Sequence, residues 1–168
     1  KVVIFTTKDS KKKNWYEYSY EDRNKNMVYK KGLKKKINEI KEEYNLDLKV
    51  NMIEIPEGFS EEELWKIFNI FINKLENGDE IYFDITHGFR YLAMLVMNIL
   101  NYAKLAKNIE VKSIDYGLFE KLGPAYKVRN MPLEERNASI LDLTSFDYLN
   151  DWVIGIDNFI NTGDAEKI

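Results

Sequence analysis

Four residue types that can bind or move charge lie within one run of seven residues, Asp84-Ile85-Thr86-His87-Gly88-Phe89-Arg90, and His87 is the only histidine of the chain. Asp84 offers a carboxylate, Thr86 a hydroxyl, His87 an imidazole and Arg90 a fixed cationic fork, while Gly88 lets a ligand come close to the backbone. If a helix starts here, its unpaired N–H groups and the positive end of its macrodipole suit an anion. The same turn also reads as an ordinary helix start: Thr86 as the cap, Asp84 bonded to nearby backbone, and His87 on the surface. The residue types alone leave both readings open.

The elements on either side place this turn. Glu80 to Asp84 alternates as a short strand, and from about Phe89 to Lys107 the chain is apolar at helical spacing. The turn therefore sits at the carboxyl end of a strand, where α/β sheets bind their ligands. That helix is apolar on nearly all sides after Arg90, with Asn98, Asn101 and Lys104 forming a thin polar stripe before the final Lys107. A helix so apolar is covered on more than one side, and a second subunit is one expected cover.

Earlier in the chain, Val2 to Thr6 is a strand running into the polar loop Thr7-Lys8-Asp9-Ser10, a second candidate for a ligand-facing loop. Ser10 to Tyr20 is expected as a short helix and Tyr20 to Asn26 as a polar loop. From about Met27 to Tyr44, Leu33, Ile37, Ile40 and Tyr44 predict a helix with one face on the sheet, ended by Asn45. Leu48 to Ile55 is a strand stopped by Pro56 and Gly58. Ser60 with Glu63 forms a capping box before Leu64, Ile67, Phe68, Phe71 and Ile72, and Asn77-Gly78-Asp79 ends that helix.

Beyond the central helix, Ile109 to Tyr116 predicts a strand, Tyr126 to Arg129 a short hairpin arm, and Ile140 to Leu143 a last, antiparallel strand. Thr144 or Ser145 then caps a helix with Leu149, Trp152, Val153, Ile156, Phe159 and Ile160 on one face, ended by Gly163. The alternation of strands and helices implies right-handed crossovers. We expect an α/β, Rossmann-like three-layer domain with a largely parallel central sheet, helices on both faces, and a C-terminal hairpin and helix.

The 168 residues fit one domain with a real core. No cysteine is present, which excludes disulfides and thiolate metal sites, and a single histidine argues against a transition-metal site, so no metal or cofactor is expected. No apolar run of about eighteen residues occurs and no signal peptide is evident, so no membrane contact by this domain and a cytoplasmic setting are expected. Residues 1–36 hold twelve Lys/Arg against four Asp/Glu, a net of +8, and the remainder carries −11. A polyanion would meet the basic end or backbone donors. Lys11-Lys12-Lys13 and Lys34-Lys35-Lys36 also suit an ordinary solvated face.

The run Asp84 to Arg90 resembles the DxTHG motif, usually DITHGFR, of the CRISPR-associated Rossmann-fold (CARF) sensor family. Val2-Val3-Ile4-Phe5-Thr6-Thr7 with Lys8 to Trp15 resembles the family's second strand and its continuation. Pro56-Glu57-Gly58 and Ser60 to Trp65 resemble its P-x-G-x-s-x-x-E-L-W. Asp115-Tyr116-Gly117, Leu141-Asp142-Leu143-Thr144, Asp151-Trp152 and Gly163-Asp164-Ala165 fall where members carry similar residues. Members usually begin one strand earlier, and chain 1–168 is therefore expected to be a single sensor domain excised from a longer protein, without that strand and without an effector.

The resemblance implies a homodimer that binds a cyclic oligoadenylate, cyclic tetra-adenylate ahead of hexa-adenylate, across its two-fold axis in type III CRISPR antiviral defence. Ligand-binding residues carried over by motif are Asp84, Thr86, His87, Gly88, Phe89 and Arg90, with Thr6, Thr7, Ser10 and Asn14 as weaker matches. Ring binding would control an effector domain in the parent chain, or act beside a membrane segment there. The HEPN ribonuclease motif R-x-x-x-x-H is absent, since His87 is the only histidine. Two alternatives stay open. The same site could be a metal-independent ring nuclease in which His87 or Thr86 orients or deprotonates a ribose 2′-OH. A generic Rossmann-like nucleotide or RNA binder is the other, although no GxGxxG or GxxxxGK[ST] follows any strand.

Overall fold

The computed structural model describes residues 1–21 and 25–163. The chain forms two compact units, residues 1–70 and 71–168. The Rossmann-like α/β class expected from the alternation of strands and helices is the one observed.

In the first unit, β1 (Val2–Thr7) pairs in parallel with β4 (Val50–Ile55), Val2 opposite Val50 and Thr7 opposite Ile55. The connection starts with α1 (Lys8–Ser10), which widens into a π-helical turn over Lys11–Trp15. Trp15 is buried, and the helical stretch expected to reach Tyr20 stops there. β2 (Tyr18–Glu21) and β3 (Met27–Lys30) follow as an antiparallel pair. The helix expected from Met27 thus starts later, as α2 (Leu33–Glu43), because Met27 to Lys30 is taken up by pairing. A cross-strand contact favours the pair: the Lys30 ammonium of β3 sits 5.8 Å and 5.9 Å from the rings of Tyr18 and Tyr20, neighbours on one face of β2 with centroids 5.9 Å apart.

Gly32, the N-cap of α2, lies against the backbone of Trp15 and Tyr16; a Cβ there would be 2.4 Å from the Tyr16 carbonyl carbon. Any side chain would push α2 away from the end of the π turn. α2 ends at Asn45, whose φ of 48° is left-handed. The face expected to pack is only partly covered, since Leu33 and Ile40 remain exposed.

α3 (Glu61–Ile72) spans the division between the units. Ser60 Oγ accepts the Glu63 N–H at 3.2 Å, as a capping box requires. Glu63 reaches back to the N–H groups of Gly58 and Phe59, at 2.9 Å and 2.8 Å, and so fixes the whole entry turn.

In the second unit, β5 (Glu80–Asp84) pairs in parallel with β6 (Glu110–Gly117), and α4 (Arg90–Lys107) connects them. Val96, Ile99, Leu100 and Ala103 of α4 are buried with Val111 and Ile114 of β6, which forms this unit's core. Asn108 ends α4 at a φ of 48°. β7 (Ile140–Asp142) pairs antiparallel with β6, as expected. The hairpin arm expected at Tyr126 to Arg129 is instead α5 (Ala125–Arg129): Pro124 supplies a preset φ, and its carbonyl accepts the N–H groups of Lys127 and Val128.

α6 (Thr144–Thr162) closes the described chain, and Gly163 ends it at a φ of 74°. Its polar face is the inner one. Thr144, Asp147 and Gly155 are buried, and Asp147 and Asp151 share the Lys104 ammonium of α4 at 2.6 Å and 2.9 Å. Phe146, Tyr148, Leu149, Trp152, Ile156 and Ile160 are between 45% and 74% exposed. At 3.6 residues per turn these six span about 160° of the helix, opposite the buried residues. Within that arc Ser145 is the only polar position. Among the described residues, no helix is long and apolar enough to cross a membrane.

Candidate functional site

The turn after β5 is built from two hydrogen bonds. Asp84 Oδ1 accepts the Thr86 N–H at 2.8 Å, which bends the chain immediately after the strand. Thr86 Oγ1 accepts the Gly117 N–H at 2.8 Å and fastens the turn to the end of β6. The Ile85 N–H donates to the Asp115 carbonyl at 3.0 Å and continues the ladder. Thr86 is therefore not the cap of α4. One of its two acceptor positions is committed to β6, and its O–H remains a donor.

Gly117 makes this latch fit, since a Cβ there would meet Thr86 Cγ2 at 3.1 Å and Phe119 Cε2 at 3.0 Å. Gly88 is different. Its φ is not positive, and a Cβ would find its first neighbours at 4.0 Å. The fold thus accepts a side chain at 88.

His87, Gly88, Phe89 and Arg90 are all exposed. The His87 ring stacks on Phe119 with centroids 5.5 Å apart and planes 21° apart, and Phe89 stacks on Tyr91 at 5.5 Å and 9°. The N-cap of α4 is Phe89, whose side chain makes no capping bond and whose carbonyl accepts the N–H groups of Leu92 and Ala93 at 2.9 Å and 3.3 Å. By contrast, side chains meet those groups in α3, from Ser60, and in α6, from Asp142. An 18-residue helix directs the partial positive charge of its start at whatever lies before it. Tyr116 donates its O–H to Glu120; this bond first of all raises the Tyr116 pKa and lowers that of Glu120. The positive charge of Arg90 is a lesser influence that lowers both.

The weaker candidates belong to the first unit and form their own group at the end of β1. Thr6 and Thr7 are buried; the Thr6 hydroxyl donates to Met52 Sδ at 3.3 Å, and Thr7 Oγ1 accepts the Ser10 N–H at 3.3 Å. Asn14 Nδ2 reaches Ser10 Oγ at 3.4 Å. Much of the basic end is matched locally, Lys11 with Glu54, Lys13 with Asp9 and Lys35 with Glu17. In the C-terminal match, Asp164 and Ala165 lie outside the described residues. Among the described residues, no group of three or more metal-ligating side chains is arranged to hold an ion.

Two residues of the site escaped sequence reasoning. Phe119 follows β6 by two positions and meets His87 only through the β5–β6 pairing. Gly117 enters the sequence reading only through the Asp115-Tyr116-Gly117 match, which is the one signal that points to it.

The family described as "CRISPR system endoribonuclease Csx1, CARF domain" matches residues 1–120. The chain belongs to this CARF family. A CRISPR-associated protein of Methanocaldococcus jannaschii is 30% identical over 114 residues, 66% of this chain. That stretch is 16% of the relative's length, so the chain spans only a small part of that protein. CARF domains sense cyclic oligoadenylate in type III CRISPR systems.

Proposed function

We propose that this CARF domain binds a cyclic oligoadenylate, cyclic tetra-adenylate ahead of hexa-adenylate, at the turn Asp84 to Arg90. The start of α4, the positive end of its macrodipole, together with an exposed His87, Gly88 and Arg90 in the same turn, carries the reading: a partial positive charge, a cation and an imidazole lie within one short turn that would attract a phosphate. The open space above Gly88, which the backbone conformation does not require, suits a ligand lying close to the main chain.

The ligand lies across a homodimer in this proposal. The outer face of α6 supports a second copy: it is uncharged over about 160°. Aromatic side chains bury about 150–250 Å² each when fully covered, so the half-exposed Phe146, Tyr148 and Trp152, with the aliphatic side chains between them, supply much of the roughly 800 Å² that each partner gives a standard interface. A face without charges can meet itself across a two-fold axis with no like-charge repulsion. The matched relative's length leaves room for an effector in the parent protein, and ring binding would control that effector.

A thermal-shift panel tests the reading. Cyclic tetra-adenylate is expected to raise the melting temperature more than linear oligoadenylate, NAD or ATP, because a ligand bound only by the native state stabilises it by mass action. Equal shifts with every adenine compound would contradict a ring-specific sensor. A salt-sensitive response to long RNA alone would favour a general RNA binder. Linear product recovered from the ring would add slow cleavage to binding.

A further inference from the structure

We propose that Phe119, stacked on His87, is the platform on which one base of the bound ring stacks; this rests on the ring-binding reading above. Phe119 stands on the short 3-10 turn Phe119–Leu122 directly after β6, at the same end of the parallel pair as the Asp84–Arg90 turn. Its ring lies 5.5 Å from that of His87 at 21°, yet it remains 48% exposed. An exposed aromatic on a loop is often mobile, but this one is held from several sides. The Leu118 N–H donates to the Ser139 carbonyl at 2.9 Å, the Lys121 N–H to Leu118 at 3.2 Å, and Tyr116 is bonded to Glu120. Gly117 admits the ring edge to a place that a Cβ would crowd.

The result is a fixed, uncharged π face beside the donors that would hold a phosphate. Stacking uses the faces of the His87 imidazole and leaves its nitrogens, at the ring edge, for polar contact. One pair thus provides a surface for a base and a donor for the backbone of the same nucleotide. Base–aromatic stacking contributes about 1–3 kcal/mol per base, roughly a 5- to 150-fold change in affinity.

The test uses cyclic tetra-adenylate and the same ring with 2-aminopurine in place of adenine, titrated onto the full chain and its Phe119→Leu and Phe119→Trp variants. The unaltered chain is expected to bind both rings and to quench the 2-aminopurine emission. Phe119→Leu is expected to weaken binding by about 5- to 150-fold, and to leave the emission bright even when saturated. Phe119→Trp keeps a π face and is expected to hold affinity and quenching. Full affinity and full quenching in Phe119→Leu would overturn the platform while leaving ring binding intact. Should Phe119→Leu fail to fold, loss of quenching in a folded Phe119→Trp would overturn it as well. Failure of the unaltered chain to bind either ring would remove the ring-binding reading and the platform with it.

Discussion

Thr86 Oγ1 accepts the Gly117 N–H at 2.8 Å across 31 positions of sequence, and so holds the candidate ligand turn to the end of the neighbouring strand. The same device occurs again on the other side of β6. Asp142 Oδ1 accepts the Thr144 N–H at 2.8 Å, and Thr144 Oγ1 accepts the Ile114 N–H at 3.1 Å. Two Asp-x-Thr turns therefore latch β6, one from the end of β5 and one from the end of β7. In each, the aspartate shapes the turn and the threonine spans to β6.

Thr86→Val is expected to destabilise the chain by about 1–3 kcal/mol, because it keeps the shape of the residue but leaves the Gly117 N–H without its acceptor. Thr86→Ser retains the oxygen and should cost less. Urea unfolding of both variants checks this. A Thr86→Val as stable as the unaltered chain would mean that the latch does not matter to the fold.

Gly88→Ala and Gly117→Ala should separate binding from folding. Gly88→Ala has room for its Cβ and is expected to leave the melting temperature nearly unchanged while weakening ring binding at least tenfold. At Gly117 the added carbon meets Phe119 and Thr86 at 3.0–3.1 Å, so stability should fall by about 1–3 kcal/mol, as in other overpacked sites. Thermal melts paired with ligand titration would decide. Unchanged binding in Gly88→Ala would argue against close approach of ligand to the backbone there.

Acid should loosen the second latch. The hydrogen bond from Thr144 to the Asp142 side chain is the main cause of that carboxyl's lowered pKa. A group whose folded pKa is depressed contributes stability above its unfolded value, about 3.9, and loses it as the pH falls through the folded value. Stability measured from pH 5 downward should therefore decline in part through Asp142. In Asp142→Asn that part of the slope should disappear, and an unchanged slope would show that other carboxylates account for it.

The outer face of α6 should mediate self-association. Sedimentation of the chain at micromolar concentration is expected to show a dimer, and Trp152→Glu or Ile156→Glu a folded monomer. A monomeric unaltered chain, with or without cyclic tetra-adenylate, would remove the second copy as the occupant of that face.

Much of the fold was legible where local chemistry is decisive. The capping box at Ser60 and Glu63, the left-handed ends at Asn45 and Gly163, and the passage from strand to turn to helix at Asp84 to Arg90 all depend on neighbours in sequence. Periodicity found the apolar face of α6 but not which way it points, and Asp147 beneath Lys104 turns the polar face inward. The β2–β3 pair was read as loop and helix because its strands are four residues long and neither is more than half buried. At the candidate site, residue types indicated the turn, whereas the Thr86–Gly117 and His87–Phe119 partnerships depend on strand pairing that no local pattern encodes.

Isothermal titration of cyclic tetra-adenylate into the unaltered chain tests the central claim most directly. Saturable binding of one ring per two chains is the predicted result, with linear tetra-adenylate bound at least tenfold more weakly. Absence of binding by both cyclic tetra-adenylate and cyclic hexa-adenylate, or equal affinity for the linear form, would contradict it.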